Sequence, residues 1–460
     1  MTRQILINRS IGETRAAYLE DDAIKDIRLY RDHNPSYVGA IYLGRITKIS
    51  SEFQAAFVEL DNSLEGFLPL KSLPKTSGKK PKDLTTLIHE GQRIIVQVTA
   101  DAKSGKSLKL TGRIELISTA IVIHPFRAGA FVSSRIKDPH RRAELKEFGL
   151  SINLKEFGLT FRTEAANIPL TQLKTTADQM IGHWRAVSKN IKTAKCPDLL
   201  AQGPDAIEQI MREFTSSGLT NIIIDQANAH KRAVLWCKNF APDLKDNISL
   251  YNKSESLFRH YDVDEEIEQL SSSQISIKSG GWITIEETEA LTVIDVNMGD
   301  AQLSNDYELQ VLKLNQIAAR EIFRQLRLRS IGGIIIIDFI NMQNKGQIKS
   351  FLHFIDELMM SDSMPLQRGN MSSFGLLELT RKSRQQNLNQ LLVSKSELNK
   401  NVTSQCLDLL RDAQSEANAR PGKPATIKVS AAQKLWLENH SKLFDSFKSQ
   451  TGSSLKMEFK

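Results

Sequence analysis

Two apolar runs that each end in an aspartate constrain this chain more than any other feature: LTVIDVN (Leu291–Asn297) and IIIIDFIN (Ile334–Asn341). Between them Val311, Leu314, Ala318, Ile322 and Leu326 recur at helical spacing. A strand, a helix and a second parallel strand make a crossover, which is right-handed in nearly all cases. Both strands then finish at one edge of a sheet, the edge where open α/β sheets bind ligands. WITIEETEALTVIDVN reads as a hairpin or strand pair. GGIIIIDF, with no alternation of residue type, reads as a strand buried on both faces.

This geometry predicts that Asp295 and Asp338 project side by side. Two like charges held close raise each other's energy unless a cation sits between them. Hard cations such as Mg²⁺ accept one or two carboxylates, with waters and a substrate phosphate completing the shell. Asn297 stands where it would orient a water or a phosphate oxygen. Such an ion polarises a scissile phosphate and delivers a metal-bound water in line. The competing reading is that strand-end aspartates only cap helices or close turns, and spacing alone leaves both open. Arg324, Arg327 and Arg329 fall at the C-terminal end of the crossover helix, where the dipole favours positive charge, and some serve the fold. Arg381, Lys382 and Arg384, after GLLELT, are better placed for phosphate contacts, against the default of a solvated face.

The rest of the chain is long enough, at 460 residues, for several domains. Residues 1 to about 34 read as short strands ending near HNPS. IYLGRITKIS, FQAAFVELD, EGFLPLKSL and RIIVQVTA then read as the short strands of a small closed barrel. Phe57 and Phe67 lie on neighbouring strands there, and form either a stacking platform for single-stranded nucleic acid or part of the core. KTSGKKPKD (75–83) and DAKSGKSLK (101–109) are basic loops. LTFRTEA (Leu159–Ala165) reads as a strand, ANIPLTQLKTTADQMIGHWRAVSKNI as a helix, and TNIIIDQANAHKRAVLWCKNF as a strand and helix whose Asp225 is structural. The tail from about 394 reads as polar helices with a turn at ARPGKP and an amphipathic WLENHSKLFDSF.

A net charge of +8 fits a nucleic-acid partner without requiring one. Cys196, Cys237 and Cys406 are far apart and match no metal-finger spacing. No run approaches the roughly 20 apolar residues that span a bilayer, and MTRQILINRS lacks a signal peptide's apolar region. A cytoplasmic location with no transmembrane segment is the expectation.

IYLGRITKI, AAFVELDNSLEGFLPL, EETEALTVIDVN, RQLRLRSIGGIIIIDF and FGLLELTRKSR, in this order, resemble the catalytic half of the ribonuclease E/G family of bacterial endoribonucleases, from the N-terminus to about residue 393. The resemblance implies an α/β multidomain fold with an RNase H-like subdomain (1–34 and 208–272), an inserted S1 (OB-fold) barrel (35–118), a 5′-sensor region (119–207), a DNase I-like catalytic subdomain (273–393) and a small C-terminal domain (394–460). It makes Asp295 and Asp338 the magnesium-binding aspartates, with Mn²⁺ as a substitute, and gives Asn297 a supporting role. It makes Arg162 and Thr163 the sensor of a 5′-monophosphate, a role that suits a guanidinium fork beside a hydroxyl. Phe57 and Phe67 match the aromatics that stack on RNA, and Lys106 falls near an RNA-contacting lysine.

The implied reaction is metal-dependent hydrolysis within single-stranded, A/U-rich RNA carrying a 5′-monophosphate, in RNA turnover and the processing of ribosomal RNA precursors. The chain departs from the family in three ways. The CPxC pair that shares zinc across a dimer is replaced by QQNLNQLLVSKSELNKNV, and Cys406 stands alone; no structural zinc is expected, and any homo-oligomer needs other contacts. DFIN stands where the family often has DFID, so Asn341 replaces a carboxylate. The chain also carries no long arginine- and proline-rich scaffold, like the short ribonuclease G form. The first two departures keep a second expectation in view, a non-catalytic or weakly active RNA-binding protein derived from the family.

Overall fold

The structure is a computed structural model describing the chain apart from Met1, Asn62, 74–86, 103–106, 153–156, 216–218, Ser279, 300–306, Ser363, 383–386, 394–399, Lys460 and the side chain of Asp243. It divides into two compact units, one of residues 1–33, 223–225 and 251–460, the other of 34–222 and 226–250.

In the first unit, Arg3–Ser10, Glu13–Glu20 and Ala23–Arg31 form an antiparallel meander. Ile223 and Ile224 extend this sheet beside the first strand. Asp225 accepts hydrogen bonds from Asn8 Nδ2 at 2.5 Å and the Arg9 amide at 2.9 Å, and burial raises its pKa. Its role is structural, as its sequence context indicates.

The six-stranded sheet that follows runs in the order Gln274–Ser276, Trp282–Glu287, Leu291–Asn297, Gly333–Asp338, Leu376–Arg381, Leu366–Met371. The expected hairpin pairs Trp282–Glu287 with Leu291–Asn297. The crossover helix spans Tyr307–Leu328 and buries all five residues of its predicted stripe. With Lys345–Ser361 it covers one face of the sheet, packing on Ile283, Ile285, Ile294, Val296, Ile335, Ile337, Leu377 and Leu379. Each such side chain, fully buried, contributes roughly 1.5–3 kcal/mol.

The other face is open, which corrects the expectation for GGIIIIDF: Ile334 is 51% exposed and Val293 38%. Among the described residues helices cover this mixed sheet on one side only, and a run of one residue type conceals the period of two that its burial follows. The three arginines ending the crossover helix all serve the fold. Arg324 pairs with Glu266 and Glu321, and Arg327 with Asp26. Arg329 is fully buried, donating to Gln325 Oε1 and Ser272 O, each at 2.8 Å, and burial pushes its pKa down to about 10.

The tail's helices Val402–Ala419, Ala431–Asn439 and Lys442–Thr451 pack around a core that also takes in Ile11, from the turn between the first two strands of the meander. A parallel strand pair, Ala425–Val429 with Leu455–Phe459, was not anticipated from its polar sequence.

In the second unit, strands Ile41–Ser50, Ala55–Glu59, Glu65–Pro69, Leu108–Thr111 and Arg93–Ala100 close into a barrel through pairing of the first with the last. Gly44 and Gly66 are required inside it: a Cβ at either would lie 2.4 Å from Val58 or Leu110. A second sheet holds Gly129–Val132, Gly158–Phe161, Ile121–His124 and Leu116–Ile117, packed by helices Pro139–Ser151 and Leu170–Ile191. The strand predicted over 159–165 stops at Phe161, so Arg162 stands at its end and Thr163 opens a short 3₁₀ turn. Strand Asn221–Ile224, whose last two residues belong to the first unit, and helix Ala227–Phe240 follow as expected.

Candidate functional site

Asp295 and Asp338 are direct partners in the parallel register of their strands. Neighbouring strands lie about 4.8 Å apart, so two carboxylates on the same face reach a shared cation. Both are exposed on the open face, with Thr284 opposite Asp295 and Leu376 opposite Asp338 on the outer sides. Asn297 Nδ2 donates to Asp295 Oδ2 at 2.7 Å and holds that carboxylate in one orientation. The backbone around it is close-packed, since a Cβ at Gly281 would lie 2.3 Å from Asn297 O. Glu286 and Glu378 are exposed one step back on the same face, opposite Val293 and Ile336, and add negative charge.

Among the described residues no three His, Cys, Asp or Glu side chains gather to hold a metal. Two carboxylates offering hard oxygens fit Mg²⁺ or Mn²⁺, ions that keep waters and take phosphate oxygens as further ligands. They do not fit zinc, which favours nitrogen and sulfur in closed sites. Cys406 is fully buried with Sγ 3.7 Å from Gln433 O, and burial pushes its thiol up to about 12.

The sequence reading missed Asn315. It lies on the buried stripe of the crossover helix and is fully enclosed. Its Nδ2 donates to Ile340 O at 2.8 Å and its Oδ1 accepts from the Ile340 amide at 3.1 Å. The peptide two residues beyond Asp338 is thereby fixed to the helix. A polar residue in an apolar stripe was the available signal. Asn341, next along, is exposed.

In the second unit, Arg162 Nη1 donates to Ser118 O at 2.7 Å. The exposed Thr163 places Oγ1 3.4 Å from Ser133 Oγ, a hydroxyl that the sequence did not single out. On the barrel, Phe57 and Phe67 are cross-strand partners with ring centroids 5.8 Å apart at 70°. Both are half-buried on the outer face, while Ala56, Val58 and Leu68 fill the core, so the core alternative for them falls. Lys48 is opposite Phe57 and Lys109 opposite Phe67, making a lysine–aromatic–aromatic–lysine row across four strands.

Arg381 departs from expectation. It is buried at 5% exposure, its guanidinium bound twice to Asp362 at 2.9 and 3.2 Å and to Ile331 O at 2.7 Å. A side chain buried against a buried carboxylate is out of reach of RNA; its strand position turns it inward. Lys382 is exposed. Lys106 and Arg384 lie outside the described residues.

A small closed barrel with outward aromatics between lysines has the form of a nucleic-acid-binding module, and here it shares a chain with paired carboxylates on an open sheet face. Residues 37–111 match the S1 RNA binding domain, and residues 115–384 match the Ribonuclease E/G family. The chain belongs to the ribonuclease E/G family and is an RNA-binding endoribonuclease. It is 28% identical to Ribonuclease G of Escherichia coli (strain K12) over 427 residues, 90% of this chain and 87% of that protein. It is 29% identical to Ribonuclease G of Haemophilus influenzae over 398 residues, 85% and 81% of the two chains. Against Ribonuclease E of Synechocystis sp. it is 34% identical over 361 residues, 77% of this chain and 53% of the other. No described helix is long and apolar enough to cross a membrane.

Proposed function

We propose that this endoribonuclease hydrolyses single-stranded, A/U-rich RNA with Mg²⁺ held by Asp295 and Asp338, that it prefers 5′-monophosphorylated ends, and that it acts in the cytoplasm in RNA turnover and ribosomal RNA processing. The observation that carries the reading is the direct register of the two aspartates, with Asn297 bonded to one of them. When bound, the ion supplies Lewis-acid stabilisation of the charge that develops on the scissile phosphate. The protein's own part is to hold the two carboxylates at one sheet edge, with Asn297 fixing Asp295 and Asn315 fixing the chain after Asp338. Arg162 and Thr163, joined by Ser133, are assigned the terminal phosphate. A guanidinium and hydroxyls grip the extra charge of a monophosphate better than a 5′-hydroxyl. Phe57 and Phe67 stack on bases while Lys48 and Lys109 take the backbone. In the family's terms, the six-stranded sheet with its two helices is the DNase I-like part and the N-terminal meander the RNase H-like part. Any homo-oligomer forms without a zinc link, because Cys406 is enclosed.

The test is cleavage of a short 5′-monophosphorylated, A/U-rich RNA with Mg²⁺ or with EDTA, beside Asp338→Asn. Internal cuts that vanish with EDTA and with the variant are expected, while RNA affinity persists. Normal cutting by Asp338→Asn would overturn the assignment of the carboxylates.

A further inference from the structure

Phe374 stands at the tip of the turn between strands Leu366–Met371 and Leu376–Arg381, and at 86% it is the most exposed large hydrophobic side chain among the described residues. The turn lies at the aspartate end of the sheet, because Leu376 is the antiparallel partner of Asp338. It is also firmly tied. The Ser372 amide donates to Leu376 O at 2.9 Å and the Gly375 amide to Ser372 O at 3.1 Å. Ser372 Oγ accepts from the amides of Phe374 and Leu376, both at 3.2 Å. Gly375 takes φ +83°, a conformation that side chains rarely adopt. The ring is therefore held in solvent by a specified backbone. Hairpin tips ordinarily carry polar residues, and a phenylalanine there gains nothing from water. Val293 and Ile334 are also exposed on the open face that carries the carboxylates, on the side of them away from the turn.

We infer that Phe374 stacks on a base of the RNA immediately beside the cleaved bond and so seats the phosphodiester over Asp295 and Asp338. The π-face of a phenyl ring accepts any base, so the contact positions the strand without selecting sequence. This inference rests on the reading of the aspartates as the cleavage site.

The experiment uses the full chain and an RNA with one cut site, with an abasic residue placed in turn at each position flanking the cut. Phe374→Ala should raise KM about 5- to 150-fold, the range for loss of one base–aromatic stack, and lower kcat as well, since the phosphodiester it seats is then held less well over the carboxylates. Phe374→Trp should restore KM. At one position the abasic residue should cost the wild type as much as Phe374→Ala does, and cost the variant nothing more. A wild-type KM for Phe374→Ala, or losses that multiply at every position, would overturn the inference. So would a lowered melting temperature for Phe374→Ala, which would make the ring structural. Asp338→Asn run alongside separates the two ideas: if it cleaves, the site reading fails; if it is dead while Phe374→Ala behaves as wild type, stacking alone fails.

Discussion

Replacing Asn315 by alanine tests whether the site is built from behind. The side chain is fully buried and makes both hydrogen bonds of the Ile340 peptide. Alanine leaves that N–H and C=O without partners. A buried group left unpaired costs about 1–3 kcal/mol, but Ile340 is only half-buried, so water recovers part of it. The expected loss is about 2–3 kcal/mol in urea denaturation, with an unchanged slope. Asn315→Asp should be worse at neutral pH, because it removes the donor and encloses a carboxylate. Ile340 lies two residues beyond Asp338, so the same release should loosen the Asp338 carboxylate proposed to hold the metal. A misplacement of about 1 Å costs up to roughly a hundredfold in rate, and kcat should fall about ten- to a hundredfold while RNA affinity holds. A loss below about 1 kcal/mol together with a wild-type kcat would refute the reasoning.

Arg381→Ala should destabilise by about 3–5 kcal/mol, the cost of stranding a buried partner charge, here Asp362; a well-folded variant defective only in RNA binding would restore the surface role. Phe57→Ala should weaken RNA binding by about 1–3 kcal/mol and cost the barrel only the edge contact to Phe67, about 0.5–1.5 kcal/mol; titration and thermal melting read the two. Burial, then neighbouring Arg31 and His440, lowers the pKa of His33, and burial, then Arg127, lowers that of His124. The unfolded chain therefore takes up protons first. Stability is complete above about pH 6.5 and falls as pH drops from there through the folded values. Denaturation midpoints at several pH values should show the slope, and His33→Phe should flatten it.

The carboxylate pair was legible because each aspartate closes an apolar run and one helical stripe lies between, a pattern with few topological solutions. The side of the sheet left open was not legible, because Ile334 to Ile337 look the same whether buried or exposed. Arg381 was misplaced for a related reason: a basic cluster does not show which member turns inward, and its partner Asp362 sits at the end of the helix Lys345–Ser361, 19 residues back in the chain. The lysines flanking Phe57 and Phe67 needed strand register, which brings Lys48 and Lys109 into one row from distant positions. Phe374 looked like one letter of a motif until its turn was seen to abut Asp338.

The N-terminal meander has a consequence for how the chain is made. Its first strand, Arg3–Ser10, is completed at its outer edge by Ile223 and Ile224, and the Arg9 amide waits for Asp225, 216 residues later. At translation rates of about 5–20 residues per second, that edge stays unpaired for roughly ten to forty seconds after it emerges. The barrel and the sheet after it are synthesised entirely within that interval and fold first. A nascent chain stalled before residue 223 would then display a folded barrel attached to an open strand, the kind of edge that recruits other chains.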